Sequence, residues 1–238
     1  MLAFLQGGGG GSDRKLRLFA AACCRSVWGS LADERGRAAV EAAERYADEE
    51  ADRQELADVE AALRPFLSAA WRDFHPPNAS GVDYSKAPLT FSGFAAFFAI
   101  LGRPVDAAEM AANAAAAAAR TPGDNRVGPE SPVAVARRSV VRWQADLLRE
   151  IVGPFAFRTL PPPSALLLPW NDGSVAQLAQ AAYDDRLLPG GHLDPARLWV
   201  LADALTDAGC SEDLLDHLRG AGPHVRGCWV VDLLLGKS

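Results

Sequence analysis

Four residues near the C-terminus, Cys210, His217, His224 and Cys228, fall within 19 positions, and all are able to ligate zinc. Thiolate sulfur and imidazole nitrogen suit that ion, and four such donors complete a tetrahedron. Their spacing argues against a shared site. No CxxC pair preorganises two ligands, and Cys210 precedes a helix on which His217 lies almost two turns further on. His224 and Cys228 share a face if the last helix begins near Pro223. The expectation is therefore no metal and no cofactor, with zinc as the alternative. Two hydrogen-bonded helical histidines and two buried apolar thiols account for the set.

Cys23 and Cys24 raise the question of thiol chemistry. Adjacent side chains on a helix diverge by about 100 degrees, so both cannot serve one compact site. A nucleophilic thiol needs a base and an orienting group, and the few histidines leave His224 or His75 for that role. Inert burial is the expectation. Among the acidic residues there is no HExxH, no DxDxDG loop, no GxSxG elbow and no deaminase HxE with PCxxC. Glu130, Asp146 and Glu150 read as charged helix faces rather than carboxylate catalysts. No catalytic or cofactor-binding residue is assigned, and whether the chain is an enzyme stays open.

Lys and Arg number 24 against 30 Asp and Glu, a net charge of -6 that offers no global attraction for nucleic acid or anionic lipid. The basic residues are almost all Arg, with Lys at Lys15, Lys86 and Lys237. From Arg120 to Arg158 seven Arg face four acidic residues, a local excess too small for a nucleic-acid module, so nucleic acid is disfavoured as a partner. Arg138, Arg142 and Arg149 recur at spacings that place them along one side of a helix, while Val141 and Leu148 are expected to pack inward and Trp143 to border either face. With the segment 154–171 they form the candidate interaction surface. A protein partner carrying Asp or Glu beside an apolar patch fits it best.

The elements that carry these residues read as helices. The 238-residue chain is 49% hydrophobic with a mean hydropathy of -0.01, enough to bury a substantial core. Gly7 to Gly11 reads as a flexible joint, and Ser12 can cap the helix whose apolar face is Leu16, Phe19, Ala20, Cys23, Val27 and Leu31. Helical segments follow over 33–50 and 52–73 and, after the Pro-rich stretch from His75 to Pro88, over 90–101. There Phe91, Phe94, Phe97 and Phe98 form a stripe expected in the core, with a ligand or partner groove as the other reading. Pro104 opens an Ala-rich helix. Residues 121–132 are the strongest boundary, ending in Ser131 before Pro132, a cap and first-turn proline for a long helix that Gly153 and Pro154 stop. Further helices begin at Asp172, at Asp194 with Pro195, and after Ser211. No GxGxxG or P-loop signature appears, and extended strand alternation is absent. The fold expected is all-α, an irregular multi-helix bundle or two packed helical subdomains. Residues 1–11 would be a flexible segment, 12–120 the N-terminal helical subdomain, 121–132 a linker or turn, and 133–238 the C-terminal helical subdomain. No stretch of about 18 apolar residues spans a membrane, the longest being Leu89 to Leu101, and no secretory signal opens the chain. With few cysteines and no disulfide pattern, the expected location is the cytoplasm.

The segments SDRKLRLFAAACCRSVW (12–28), LREIVGPFAFR (148–158), LPWNDGSVAQLAQAAYDDR (168–186) and AGCSEDLLDHLRGAGPHVRGCWVVDLLLGK (208–237) resemble an uncharacterised family of helical proteins from planctomycete bacteria. The resemblance implies a common helical domain and, because members of the family begin with additional residues before the counterpart of Leu2, a shortened chain or an alternative start, but no activity, cofactor or catalytic residue. The function expected is a noncatalytic protein-interaction or regulatory domain with an unidentified protein partner. An enzyme or a small-molecule-binding protein is the alternative.

Overall fold

Ten α-helices carry the described residues of the computed structural model, which are 12–77, 81–121, 126–156 and 170–237. The helices are α1 (Asp13–Arg25), α2 (Glu34–Ala47), α3 (Arg53–Phe74), α4 (Ala87–Ile100), α5 (Pro104–Ala118), α6 (Pro132–Val152), α7 (Trp170–Asp184), α8 (Pro195–Asp207), α9 (Glu212–Arg219) and α10 (Trp229–Leu235). The β structure among the described residues is one antiparallel pair, β1 (Arg186–Leu187) with β2 (His192–Leu193), and an isolated antiparallel bridge between His192 and Val225. An all-α fold is thus what the chain adopts. No helix among the described residues is long and apolar enough to cross a membrane.

Local chemistry explains where helices start. The Ser12 hydroxyl accepts from the Lys15 amide, Asp33 from Arg35, Asp52 from Glu55, Ser131 from Ala134 and Asp194 from Ala196, each satisfying a first-turn N–H. Pro132 and Pro195 follow their caps at the first helical position, where no amide is needed. At α7 the expectation fails in detail. Asn171, Asp172 and Gly173 all have positive φ, so regular helix begins beyond Asp172 rather than at it. The glycine joint at 7–11 and most of the 154–171 segment lie outside the described residues.

Contacts divide the described residues into two units, one within 16–144 and the other within 145–237 together with 12–15. The division falls within α1, after Lys15, and within α6, after Gln144, while residues 121–132 lie between α5 and α6.

In the first unit α2, α3, α4 and α5 pack around a core of small side chains. Ala39, Ala42, Ala43, Ala95, Ala96, Ala99, Ala107 and Ala111 have no exposed surface. Gly93 lets α4 come close to α3, since a methyl there would lie 3.0 Å from Leu67 Cδ2 and 3.1 Å from Phe66 Cε1. Arg25 and Glu44 form a buried bidentate pair, Nε to Oε1 at 2.6 Å and Nη2 to Oε2 at 2.8 Å. Cys23 and Cys24 are fully buried, and burial pushes both thiols far above the ordinary range.

The second unit has a conventional aliphatic core in which Val175, Tyr183, Leu198, Leu201, Leu205, Leu215, Leu218, Trp229, Val231 and Leu234 are buried together. Asp232, 1% exposed, takes both guanidinium nitrogens of Arg14 and the Lys15 ammonium, and Arg14 also donates to the Tyr183 hydroxyl.

Candidate functional site

Two places concentrate chemistry: a polar cluster in the second unit and an aromatic groove in the first. The cluster is built by four segments. Glu150 sits in the last turn of α6, His217 in the last turn of α9, His224 in the loop that follows, and Cys228 immediately before α10. Glycines at 222 and 227, both with positive φ, turn the 220–228 loop back so that His224 and Cys228 meet His217.

Glu150 is the hub. Its Oε1 lies 3.0 Å from His224 Nδ1 and its Oε2 lies 3.2 Å from His217 Nε2. His217 Nε2 is also 3.3 Å from Cys228 Sγ, and the Trp229 indole N–H donates to His217 Nδ1 at 3.0 Å. That indole bond leaves Nδ1 unprotonated, so the His217 proton sits on Nε2, facing Glu150 and Cys228. His224 directs its other nitrogen, Nε2, at the Gly220 carbonyl, 3.1 Å away. Both of its nitrogens face acceptors, which is the pattern of an imidazolium.

Electrostatics follow from this geometry. Burial pushes the Glu150 carboxyl up, yet the hydrogen bonds from His217 and His224 outweigh it and hold the group at about 2. Burial opposes charge on His224, and its hydrogen bond and attraction to Glu150 raise its pKa above the ordinary 6.5. Burial, followed by the nearby Glu150 charge, pushes the Cys228 thiol far up, so it stays protonated. Glu150, His224 and Cys228 are 5%, 7% and 0% exposed, and beside Glu150, His217 and His224 a cleft of about 310 Å³ opens, lined also by Asp146, Arg149 and Asp216.

Contrary to the expectation from helical phase, three of the four C-terminal residues meet. His217, His224 and Cys228 do converge, because the intervening loop rather than one helix sets their directions, and only Cys210 of the original four is left out. It lies at the start of α9, partly buried against the core. Glu150, read as an ordinary helix-face charge, completes the group from 74 residues before His224, and no local signal announces it.

The groove is the work of α4. Its buried residues are Ala87, Thr90, Ser92, Gly93, Ala95, Ala96, Ala99 and Ile100. Phe91, Phe94, Phe97 and Phe98 are half-buried on the other side, so the stripe expected in the core instead lines a groove. The reason is steric: the small face lets α4 approach α3 and α5 closely, and the rings have no room there. Trp71, 46% exposed, packs edge-on to Phe94 with centroids 5.7 Å apart, and Met110 and Leu67 complete a hollow of about 630 Å³. Guanidinium groups lie over its rings, Arg64 over Phe97 and Arg103 over Phe98. Each is paired locally, Arg64 with Glu60 and Arg103 with Asp106.

On α6, Arg138, Arg142 and Arg149 are exposed and Trp143 is half-buried. Arg149 pairs with Asp146 at 2.6 Å. Leu148 is buried as expected, but Val141 is 46% exposed, so it lies on the solvent side rather than packing inward. Arg158 lies outside the described residues.

No protein-family model, no curated protein and no solved structure matches this chain.

Proposed function

We propose that the chain is a noncatalytic protein-interaction domain, and that the α3–α4–α5 groove receives an amphipathic helix of a protein partner. One observation carries this reading: α4 buries its small residues and leaves four phenylalanines beside Trp71 and Met110. Half-buried aromatic rings in a hollow are what a binding hot spot requires. A helix lays large apolar side chains into such a groove at every third or fourth position. The rim favours an apolar ligand over phosphate, because Arg64 and Arg103 are already neutralised by Glu60 and Asp106. Arg138 and Arg142, with Trp143 beside them on α6, belong to the proposal as a separate contact for acidic residues of a partner, whereas Arg149 is already paired with Asp146. The cytoplasm suits a chain with four free cysteines. The interaction role is proposed as common to the planctomycete family that the chain resembles.

The test places a photo-crosslinking phenylalanine analogue at position 98, with position 200 in the second unit as control, and irradiates cells. The reading expects one protein adduct at 98 that Phe94→Glu abolishes, cross-linked through an amphipathic helix that binds again when made as a peptide. A hollow of this volume also matches small-molecule pockets. Co-purification of an apolar small molecule that Phe94→Glu releases, without a protein adduct, overturns the reading in favour of a ligand-binding protein.

A further inference from the structure

We propose that Glu150, His217, His224 and Cys228 form a zinc-class metal site that ties together the four segments carrying them. The inference is independent of the aromatic groove, which lies in the other unit.

Distance supplies the first argument. One ligating atom from each residue lies within 4.8 Å of the others, and the edges from His217 Nε2 are 3.2 Å to Glu150 Oε2 and 3.3 Å to Cys228 Sγ. A tetrahedral zinc ion bonded to nitrogen at ~2.0 Å and sulfur at ~2.3 Å sets its donors roughly 3.3–3.7 Å apart. The shorter edges already match, and the longest needs a contraction of about 1 Å, within side-chain adjustment.

Charge supplies the second. A carboxylate and a thiolate bring two negative charges, so a dication leaves the buried group neutral, whereas isolated charges at that depth are costly. Donor type narrows the metal. Two imidazoles and a thiolate suit zinc, cobalt or ferrous iron, while a single carboxylate cannot satisfy calcium or magnesium.

The surroundings supply the third. A histidine that ligates through Nδ1 keeps Nε2–H for an outer acceptor, and His224 has the Gly220 carbonyl in that place. His217 is different. Ligation through Nε2 puts its proton on Nδ1, where the Trp229 indole N–H now donates, and two donors cannot share that line. Loading therefore breaks the Trp229–His217 hydrogen bond, and the indole reports it. The neighbouring cleft gives the ion a route in. With four protein donors the shell is closed, so the role assigned is structural rather than catalytic.

The test uses the full chain, produced in zinc-supplemented medium and purified without added metal. Expected are one zinc per chain, loss of at least five-sixths of it in Cys228→Ser and in His224→Gln, and full retention in Cys210→Ser. Because those variants can fail to fold, chelator-stripped wild type is also titrated with cobalt. Folded protein should give the intense visible bands of tetrahedral cobalt and an ultraviolet thiolate band. Tryptophan fluorescence should change in step, and Trp229→Phe should lose that change while keeping the cobalt bands. Absence of both bound zinc and a cobalt spectrum in folded wild type overturns the proposal. So does zinc that survives in folded Cys228→Ser.

Discussion

Gly153→Ala loads two separate costs onto one position, and the structure allows each to be sized. Gly153 follows the last residue of α6 with φ +65°, in the left-handed region. An L-residue there costs about 1–2 kcal/mol. The added methyl would also lie 2.6 Å from Trp229 Cγ, 2.8 Å from its Cβ and 3.0 Å from Cδ2. These are the root of a buried indole, which cannot swing aside as a flexible chain end would. Overpacking of that kind costs about 1–3 kcal/mol. The smaller entropy of the unfolded alanine chain returns about 0.4–1 kcal/mol, leaving a net loss of about 1–5 kcal/mol. Gly209→Ala is the matched control, because Gly209 has φ +76° but nothing within 4 Å of a new methyl, so it carries the strain alone. Urea unfolding of both variants in chelator measures the difference. Gly153→Ala should exceed Gly209→Ala by about 1–3 kcal/mol with an unchanged m-value. Equal losses would show that Trp229 is not packed against α6 as described and would refute the steric reasoning.

Two further outcomes are expected. Arg25→Ala should destabilise the first unit by about 3–5 kcal/mol, since it strands the Glu44 carboxylate at a site where both side chains are nearly inaccessible, whereas Arg25→Met with Glu44→Leu should restore most of the loss. Thermal or urea unfolding in which the single variant is no worse than the double would contradict this. For the metal-free protein, Glu150 and His224 set a stability window. The depressed Glu150 pKa contributes fully above 4.5 and is lost as pH falls toward about 2, while the raised His224 pKa contributes fully below 6.5 and is lost as pH climbs past its folded value. The difference in urea midpoint between wild type and His224→Gln should therefore peak between about pH 4.5 and 6.5, and a flat profile would count against the pair.

Helix starts were legible in the sequence because they depend on three or four consecutive residues: Ser12, Ser131 with Pro132, and Asp194 with Pro195 all cap as their types require. The facing of α4 was not. Apolar residues surround that helix, so periodicity offers no polar side to orient it, and what decides is side-chain volume against neighbours that are distant in sequence. The polar cluster was half legible. Its His and Cys residues were visible as a composition, but their meeting depends on a loop with two positive-φ glycines, and Glu150 arrives from another helix altogether. Cys210, the nearest thiol in sequence to His217, is the one that does not take part.

The small-residue face of α4 and α5 also makes the two units age differently under mutation. In the second unit damage comes chiefly by truncation, since Leu198, Leu201 and Leu205 each leave a cavity when cut back. Around α4 and α5 there is almost nothing to cut back: Ala95, Ala96, Ala99, Ala107 and Ala111 have already reached the smallest side chain that favours a helix. Nearly every step available to them adds volume, and every added methylene must push two backbones apart. Random drift therefore has a direction in this unit. It runs toward swelling, and purifying selection there would act as a ceiling on size rather than as a demand for hydrophobicity.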